Sequence, residues 1–89
     1  MEFEWDRAKA EWNLKQHRVS FDEAITVFYD PLAATFEDPD HSAGERRLIT
    51  IGYSARERLL VVVHVEREDA IRLISARVAT ARERKRHET

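Results

Sequence analysis

Apolar residues recur at helical spacing near the N-terminus of the chain. Asp6 is a favourable N-cap, and residues 7–17 behind it are rich in helix formers and contain neither Gly nor Pro. The apolar residues of this stretch fall on one side, with Leu14 beside them: Trp5, Ala8 and Trp12. The pattern predicts a first helix over residues 7–17.

A second helical pattern follows after a short break. Ser20 and Glu23 stand three residues apart, as in a capping box, where the two residues satisfy free backbone N–H groups at the helix start. The apolar residues behind Ser20 recur at i, i+3, i+4 and i+7, which is one helix face: Phe21, Ala24, Ile25 and Phe28. Pro31 ends this helix, because the residue before a proline avoids the helical conformation.

After Pro31 the pattern changes to the two-residue alternation of strands. It predicts strands at residues 32–36, 46–53, 58–65 and 70–76, with turns at 54–57 and 66–69. Residues 58–65 are the most apolar segment and predict a central strand covered on both faces. Thr80 and Glu83 repeat the capping-box spacing, so a last helix is predicted from about residue 80.

The order of these elements favours an α+β fold. A short extended opening at residues 3–5 precedes two helices, three or four antiparallel strands and a C-terminal helix. Because helices and strands are segregated along the chain, we expect two N-terminal helices to pack on a 3–4-stranded antiparallel sheet. With 89 residues, the chain is expected to form one domain, residues 1–89.

Composition limits the cellular compartment that we expect for the chain and the kinds of chemical site that it can form. The chain contains no Cys, which is typical of the reducing cytoplasm. The acidic N-terminus lacks a signal-peptide pattern, and the longest apolar run, residues 59–63, is too short to cross a membrane. His, Asp and Glu show no metal-ligand spacing, so neither a metal nor another cofactor is predicted.

The net charge of −2 conceals two halves of opposite sign. Residues 1–45 hold 4 Lys and Arg against 11 Asp and Glu, whereas residues 46–89 hold 11 against 6. A cationic face can attract a polyanion on a nearly neutral protein, because salt screens the acidic half beyond roughly 8 Å. The two halves can equally pair with each other across the fold, and charge alone does not decide between these alternatives.

Two arginines of the last predicted strand are candidates for phosphate binding. Strict alternation over residues 70–77 places Arg72 and Arg77 on opposite faces of the sheet. A charge in mid-strand needs water, a carboxylate or a ligand, and for Arg72 a surface salt bridge with Glu66 or with a residue of a neighbouring strand is the simpler explanation. Arg77 lies where the strand gives way to the helix start at Thr80, a position where anions bind readily.

A polar loop offers further candidates for chemistry. His and Glu can transfer protons and Arg can hold phosphate oxygens, and the loop contains His41, Ser42, Gly44, Glu45, Arg46 and Arg47. The same composition is also ordinary for a solvated loop. His64, within an apolar strand, is expected to be a hydrogen-bonded core residue. With only two Gly in the chain, a serine-nucleophile turn and a Gly-rich phosphate loop are excluded, which leaves arginine-dominated binding of a phosphodiester.

Short blocks of residues, each weak alone, recur in a fixed order over nearly the whole chain. They include FEWD at 3–6, NL at 13–14, VSFDEA at 19–24, DPL at 30–32, DPDHS at 38–42, TIG at 50–52, LVVVH at 60–64 and ISAR at 74–77. The ordered set resembles the BrnT toxins of bacterial type II toxin–antitoxin modules. The resemblance implies a RelE-like fold and a ribonuclease that arrests growth by cleaving RNA.

The resemblance also implies a partner and a set of site residues. The partner is a small ribbon-helix-helix antitoxin, similar to BrnA, which neutralises the toxin in a heterotetramer and alone contacts the operator DNA. For metal-free cleavage through the 2′-hydroxyl, arginines stabilise the phosphorane and His or Glu move protons, with no assignment of acid and base. The catalytic candidates are Arg77, Arg72, Arg47, His41, Glu45 and His87. The RNA-binding candidates are Arg46, Arg82, Lys85 and Arg86.

Two positions depart from the pattern common in the family. Val78 stands where a Lys is frequent, and His87 stands where a Tyr is frequent. These departures keep two alternatives open beside an active toxin. One is a degenerate toxin that folds and binds but cleaves poorly, and the other is a binding-only protein that acts as a co-repressor of its antitoxin.

Overall fold

A mixed sheet with helices on both sides organises the part of the chain that the computed structural model describes, residues 1–40 and 45–89. The described strands are β1 (Glu2–Glu4), β2 (Ala34–Glu37), β3 (Arg47–Tyr53), β4 (Leu59–Arg67) and β5 (Ala70–Val78). They form a five-stranded sheet in the order β1-β5-β4-β3-β2. The helices are α1 (Arg7–His17), α2 (Phe21–Ile25), which continues as a 3₁₀ turn at Thr26–Tyr29, and α3 (Ala81–Glu88).

The α+β class is confirmed, but the predicted 3–4-stranded antiparallel sheet was wrong in size and in one pairing. The N-terminal β1 joins the sheet by pairing in parallel with β5, from Glu2 opposite Ala70 to Glu4 opposite Arg72. The other pairings are antiparallel. A three-residue strand is too short to show an alternation, and its partner is distant in sequence, so no local pattern marks it.

The helices begin where their caps predict. The α1 bounds, Arg7–His17, match the prediction, and the Asp6 carboxylate accepts a hydrogen bond from the backbone N–H of Lys9 at 2.9 Å. Ser20 caps α2, although this helix ends sooner than predicted and tightens into the 3₁₀ turn. Thr80 and Glu83 form a complete capping box at the start of α3.

The predicted apolar stripe of α1 was wrong for Ala8 and Trp12, which are exposed, whereas Trp5 packs against the core. A polar residue holds this helix to the sheet. Of residues 7–17, all of them described, Asn13 is the buried one, whereas Trp12 is 58% exposed. The Asn13 amide donates to the carbonyls of Val19 and Ala76 at 2.9 and 2.8 Å, and its oxygen accepts from the Ala76 N–H at 3.1 Å. Asn13 thus pairs with the backbone of β5 as a neighbouring strand would.

The main core lies between the sheet and the first two helices, on what we call the helix face. Its buried residues come from the helical layer and from β4 and β5: Val19, Phe21, Ala24, Val27, Leu60, Val62, Leu73 and Ala76. A smaller cluster lies on the opposite face, which we call the open face, and consists of Leu59, Val61 and Ala79. As predicted, the central strand β4 is buried over most of its length.

His64 is a core histidine, as predicted. It lies on the helix face, where its Nε2 is 2.8 Å from the hydroxyl of Thr50, and its ring contacts Phe28 edge-on. Burial lowers the pKa of His64 to about 4, so the imidazole is neutral near pH 7. Its position on the helix face separates it from the arginines of the open face.

One extra residue in β5 changes the faces that its side chains take. Leu73 pairs with His64 and Ser75 pairs with Val63, so Ile74 has no partner in β4 within these two fully described strands. Such a β-bulge reverses the alternation on one side of it. The prediction that Arg72 and Arg77 lie on opposite faces was therefore wrong, since both lie on the open face.

Part of the charge asymmetry is satisfied inside the fold. Glu23 of the acidic half is buried and accepts hydrogen bonds from the Ser54 hydroxyl at 2.7 Å and from Arg58 Nε at 3.0 Å. The Arg58 guanidinium lowers the pKa of Glu23 and keeps it ionised. This pair joins α2 to the turn before β4.

We expect Asn13→Ala to lower the free energy of unfolding by about 3 kcal/mol, because it leaves three buried backbone groups without partners. Urea denaturation checks this value. The exposed Gln16 of the same helix supplies the control, and Gln16→Ala should change stability by less than about 0.5 kcal/mol. A loss below about 1 kcal/mol in Asn13→Ala would show that the edge of β5 does not depend on this amide.

Candidate functional site

The open face carries a row of residues across four strands that is apolar on β2, β3 and β4 and ends at a serine on β5. The backbone register aligns Ser75, Val63, Ile49 and Phe36 from β5 to β2. Phe36 at the β2 end is 46% exposed. Cross-strand partners point to the same side of a sheet, so these residues form a continuous floor.

Two arginines border this floor on the side nearer the β4–β5 hairpin. Arg47 and Arg72 are the partners of Val65 on its two sides, which places both on the open face. The Arg72 guanidinium lies 3.9 Å from the Glu4 carboxylate, and that of Arg47 lies 3.8 Å from Glu45. Both ion pairs are long and partly exposed, and such pairs are weak enough to exchange a carboxylate for a phosphate.

Arg77 borders the floor on the other side and anchors α3. It pairs with Val61, four residues or about 13 Å along β4 from the Val65 row. Its two terminal nitrogens each donate to one oxygen of Glu83, both at 2.8 Å. This paired contact lowers the pKa of Glu83 to about 2 and raises that of Arg77, so both groups are charged at neutral pH.

A cavity of about 430 Å³ lies between α3 and the edge of the sheet. The sheet side of its lining is apolar and consists of Ala34, Phe36 and Ile51. Polar side chains of α3 form its rim: Glu83, Arg86 and His87. The His87 ring lies 6.2 Å from the Tyr53 ring, centroid to centroid. The Tyr53 hydroxyl donates to Glu88, and this bond raises the pKa of Tyr53.

The structure brings some of the predicted site residues together and separates others. Arg77 and His87 meet around Glu83 at α3, while Arg47, Arg72 and Glu45 lie at the opposite border of the same face. Arg46 instead pairs with Glu37 at 3.5 Å and Glu66 at 3.8 Å, two residues that the register assigns to the helix face. Arg82 and Lys85 are exposed on α3 and do not line the cavity, whereas Arg86 does. His41 lies outside the described residues.

Sequence reasoning missed three residues that shape this site. Glu83 was recognised as a helix cap but not as the partner of Arg77, six residues away across a strand-to-helix corner. Phe36 carries no motif, and its place on the open face follows from the pairing of β2 with β3. Tyr53 lies at the end of β3 and reaches α3 only through the tertiary fold.

The arrangement suits a flexible anion better than a compact one. The two cationic borders lie about 13 Å apart, and each arginine has its own carboxylate partner, Glu4 for Arg72 and Glu83 for Arg77. They can therefore contact different phosphates of one strand laid across the floor. Within residues 1–40 and 45–89, no three His, Asp or Glu side chains are grouped so that they could hold a metal ion.

Comparison with known proteins identifies the family. A family model for "Ribonuclease toxin, BrnT, of type II toxin-antitoxin system" matches residues 5–83. The chain belongs to this family. Membership confirms the resemblance seen in the sequence, supports ribonuclease activity at the level of the family, and implies an antitoxin as partner.

A solved structure shares the fold. The crystal structure of the Brucella abortus ribonuclease toxin BrnT superposes with a TM-score of 0.70, at 24% sequence identity over 90% of this chain and 97% of that chain. At this identity the likeness concerns the fold. The search of curated proteins found no match. No helix among the described residues is long and apolar enough to span a membrane.

The Arg77–Glu83 pair makes stability depend on pH in a defined window. The folded pKa of Glu83, about 2, lies below its ordinary value of 4.5, so its contribution is complete above pH 4.5 and is lost as the pH falls toward 2. We expect Glu83→Gln to melt at a lower temperature than the parent chain at pH 7, with a gap that narrows below pH 4.5. Thermal melts between pH 7 and pH 3 measure this gap.

Glu11→Gln is the matched control for this prediction. Glu11 pairs with Arg7 at 3.8 Å on the exposed side of α1, where an ion pair contributes little to stability. Its melting temperature should follow that of the parent chain across the range. A gap for Glu83→Gln that stays constant down to pH 3 would contradict the assignment to the carboxylate charge.

Proposed function

We propose that the chain is a metal-independent endoribonuclease whose open face holds single-stranded RNA between two cationic borders. The observation that carries the proposal is the bulge at Ile74, because it places Arg72 on the same face as Arg77 and Arg47. The description of the family as ribonuclease toxins supports RNA as the polyanion. The apolar floor between the arginines leaves room for a strand to cross the sheet.

In the proposed reaction, the 2′-oxygen of a ribose attacks the adjacent phosphorus and the bond from phosphorus to the 5′-oxygen breaks. A base takes the proton of the 2′-hydroxyl, and an acid returns a proton to the leaving 5′-oxygen. Arg77 would stabilise the charge that develops on the phosphorane. Its guanidinium has five N–H donors; two are taken by Glu83 and one approaches the Val78 carbonyl at 3.4 Å, so two remain for phosphate oxygens.

His87 is the described side chain best placed to move a proton. It lines the cavity beside Glu83, and imidazole is the group that exchanges protons near neutral pH. Glu83 is a poor acid in this site, since its low pKa keeps it ionised. Glu45 remains a candidate for the second proton transfer, and so does His41, which lies outside the described residues.

The biological role follows from the same family. We propose that residues 1–89 act as one toxin domain in the cytoplasm and that RNA cleavage arrests growth. A ribbon-helix-helix antitoxin similar to BrnA would neutralise it in a heterotetramer and alone contact operator DNA. The exposed cations of α3 offer this partner or the RNA a docking surface: Arg82, Lys85 and Arg86.

A binding-only function is the second candidate, and one contact favours it. Glu83 accepts from both terminal nitrogens of Arg77, so a phosphate has only the remaining donors of a guanidinium whose charge is already partly neutralised. A chain with this contact intact could bind its antitoxin and cleave RNA slowly or not at all. Val78 and His87, which replace residues common in the family, are consistent with that alternative.

Expression of the chain alone in bacteria separates the two functions. We expect growth arrest with RNA degradation, relieved by co-expression of the antitoxin, and cleavage in vitro that persists in EDTA. Arg77→Ala should lower the cleavage rate by roughly 100-fold or more, because it removes a donor to the transition state. The control is Arg7→Ala, which removes a largely exposed arginine from α1 on the other side of the sheet.

Thermal melts of both variants establish that they are folded. If expression of the parent chain is harmless and the chain binds the antitoxin tightly, it is a binding-only protein and not an active toxin. Cleavage that EDTA abolishes would contradict metal independence. Undiminished cleavage by folded Arg77→Ala would remove Arg77 from the site.

A further inference from the structure

The lining of the cavity under α3 includes an aromatic side chain, Phe36, that the fold does not require. Phe36 lies on β2, an edge strand whose four residues are all exposed, and its side chain faces the open side beside Ile49. An exposed aromatic residue on a sheet edge invites aggregation and adds little to the core. Its position is more easily explained by a ligand that covers its ring.

The rim of the cavity is suited to an anionic ligand with a flat apolar part. Arg86 and His87 stand above Phe36, and no carboxylate is paired with Arg86 among the described residues. Glu83 also lines the cavity, but Arg77 neutralises its charge through two hydrogen bonds. Arg86 therefore gives the rim a positive charge that no carboxylate of the described residues pairs with, although the Glu83 carboxylate also belongs to the rim.

The size of the cavity is compatible with a small ligand or with one part of a larger one. Its volume of about 430 Å³ falls within the range of roughly 300–1,000 Å³ typical of small-ligand sites. Aromatic side chains stack on unpaired bases, and arginines beside them hold the backbone, which is the usual recognition of single strands. A duplex hides its base faces inside the stack and cannot present one to Phe36.

We propose that the cavity is a base-binding subsite in which one nucleobase of a single-stranded RNA stacks on Phe36, with its phosphate toward Arg86. This inference rests on the proposed function for the identity of the strand, and it adds a residue and a requirement for an unpaired base. The subsite lies beside the Arg77–Glu83 pair, so a base held there fixes the position of the neighbouring phosphate.

Binding of a non-cleavable strand tests the subsite independently of catalysis. The probe is a short single-stranded 2′-O-methyl oligoribonucleotide with one 2-aminopurine, whose fluorescence falls when the base stacks. The parent chain should bind it and quench its fluorescence. Phe36→Leu, which keeps an apolar side chain but removes the aromatic face, should bind it roughly 5- to 150-fold more weakly and lose the quenching.

Two variants control for packing and for general loss of apolar surface. Phe36→Trp retains an aromatic face and should keep both affinity and quenching. Leu32→Ala removes a side chain that is 77% exposed and lies outside the cavity lining, and it should bind as the parent chain does. Thermal melts check that each variant is folded. We expect folded variants because the substituted side chains are exposed.

Several results would overturn the subsite. Unchanged affinity and quenching in Phe36→Leu would do so, and so would equal binding of duplex RNA. The subsite would also be contradicted if adenosine monophosphate bound as tightly as the oligonucleotide, or if an acidic peptide bound with the same dependence on Phe36. If the chain cleaves RNA but Phe36→Leu binds normally, the subsite fails and the proposed function stands. If the chain binds the probe through Phe36 but cleaves no RNA, the proposed function fails and the subsite stands.

Discussion

The extra residue in β5 is the constraint on which the arrangement of the open face depends. Leu73 and Ala76 are both buried against the helices, yet they stand three residues apart, which strict alternation does not allow. The bulge at Ile74 reconciles them and turns Arg72 to the open face, where its charge meets solvent. A regular strand that kept Ala76 inward would place Arg72 under the helices and Leu73 on the open face, and one that kept Leu73 inward would place Arg77 under the helices; both are costly. Asn13 holds the β5 backbone just beyond the bulge, at Ala76.

Electrostatics rather than burial fixes α3 at the site. None of residues 81–88, all of which the structure describes, is buried, and a helix of two turns is not stable alone. The contacts that hold it are the Arg77–Glu83 pair at its start and the Tyr53–Glu88 hydrogen bond at its end. The same guanidinium that anchors the helix is thus the best candidate for contact with the substrate. The site is assembled at the cost of partly neutralising its central cation.

Local chemistry could be predicted from the sequence, but long-range pairing could not. The Asp6 cap and the Thr80–Glu83 capping box fixed the helix starts, because these depend on neighbours three residues away. The pairing of β1 with β5 and the bulge at Ile74 depend on contacts distant in sequence, and no local pattern encodes them. The helical pattern did not mark Asn13 as a buried residue, because that pattern counts apolar residues only.

The residues that carried the family resemblance divide between fold and site. Asn13 and Asp30 bind backbone groups, and Gly52 lies where a Cβ would come within 2.8 Å of the Ala33 Cβ. These residues explain why the resemblance predicted the fold well. Of the open-face residues, Arg77 belongs to one of the blocks that carried the match, whereas Phe36 lies outside all of them.

The central claim is that RNA lies on the open face, under α3, and not on the helical layer. Amide and side-chain NMR shifts during titration with a non-cleavable single-stranded RNA test it most directly. We expect shifts in β2, in the open-face residues Ile49 and Val63, and along α3, whereas the indole N–H of the exposed residue Trp12 on α1 should not move. Shifts centred on Trp12 and α1, with β2 and α3 unchanged, would contradict it.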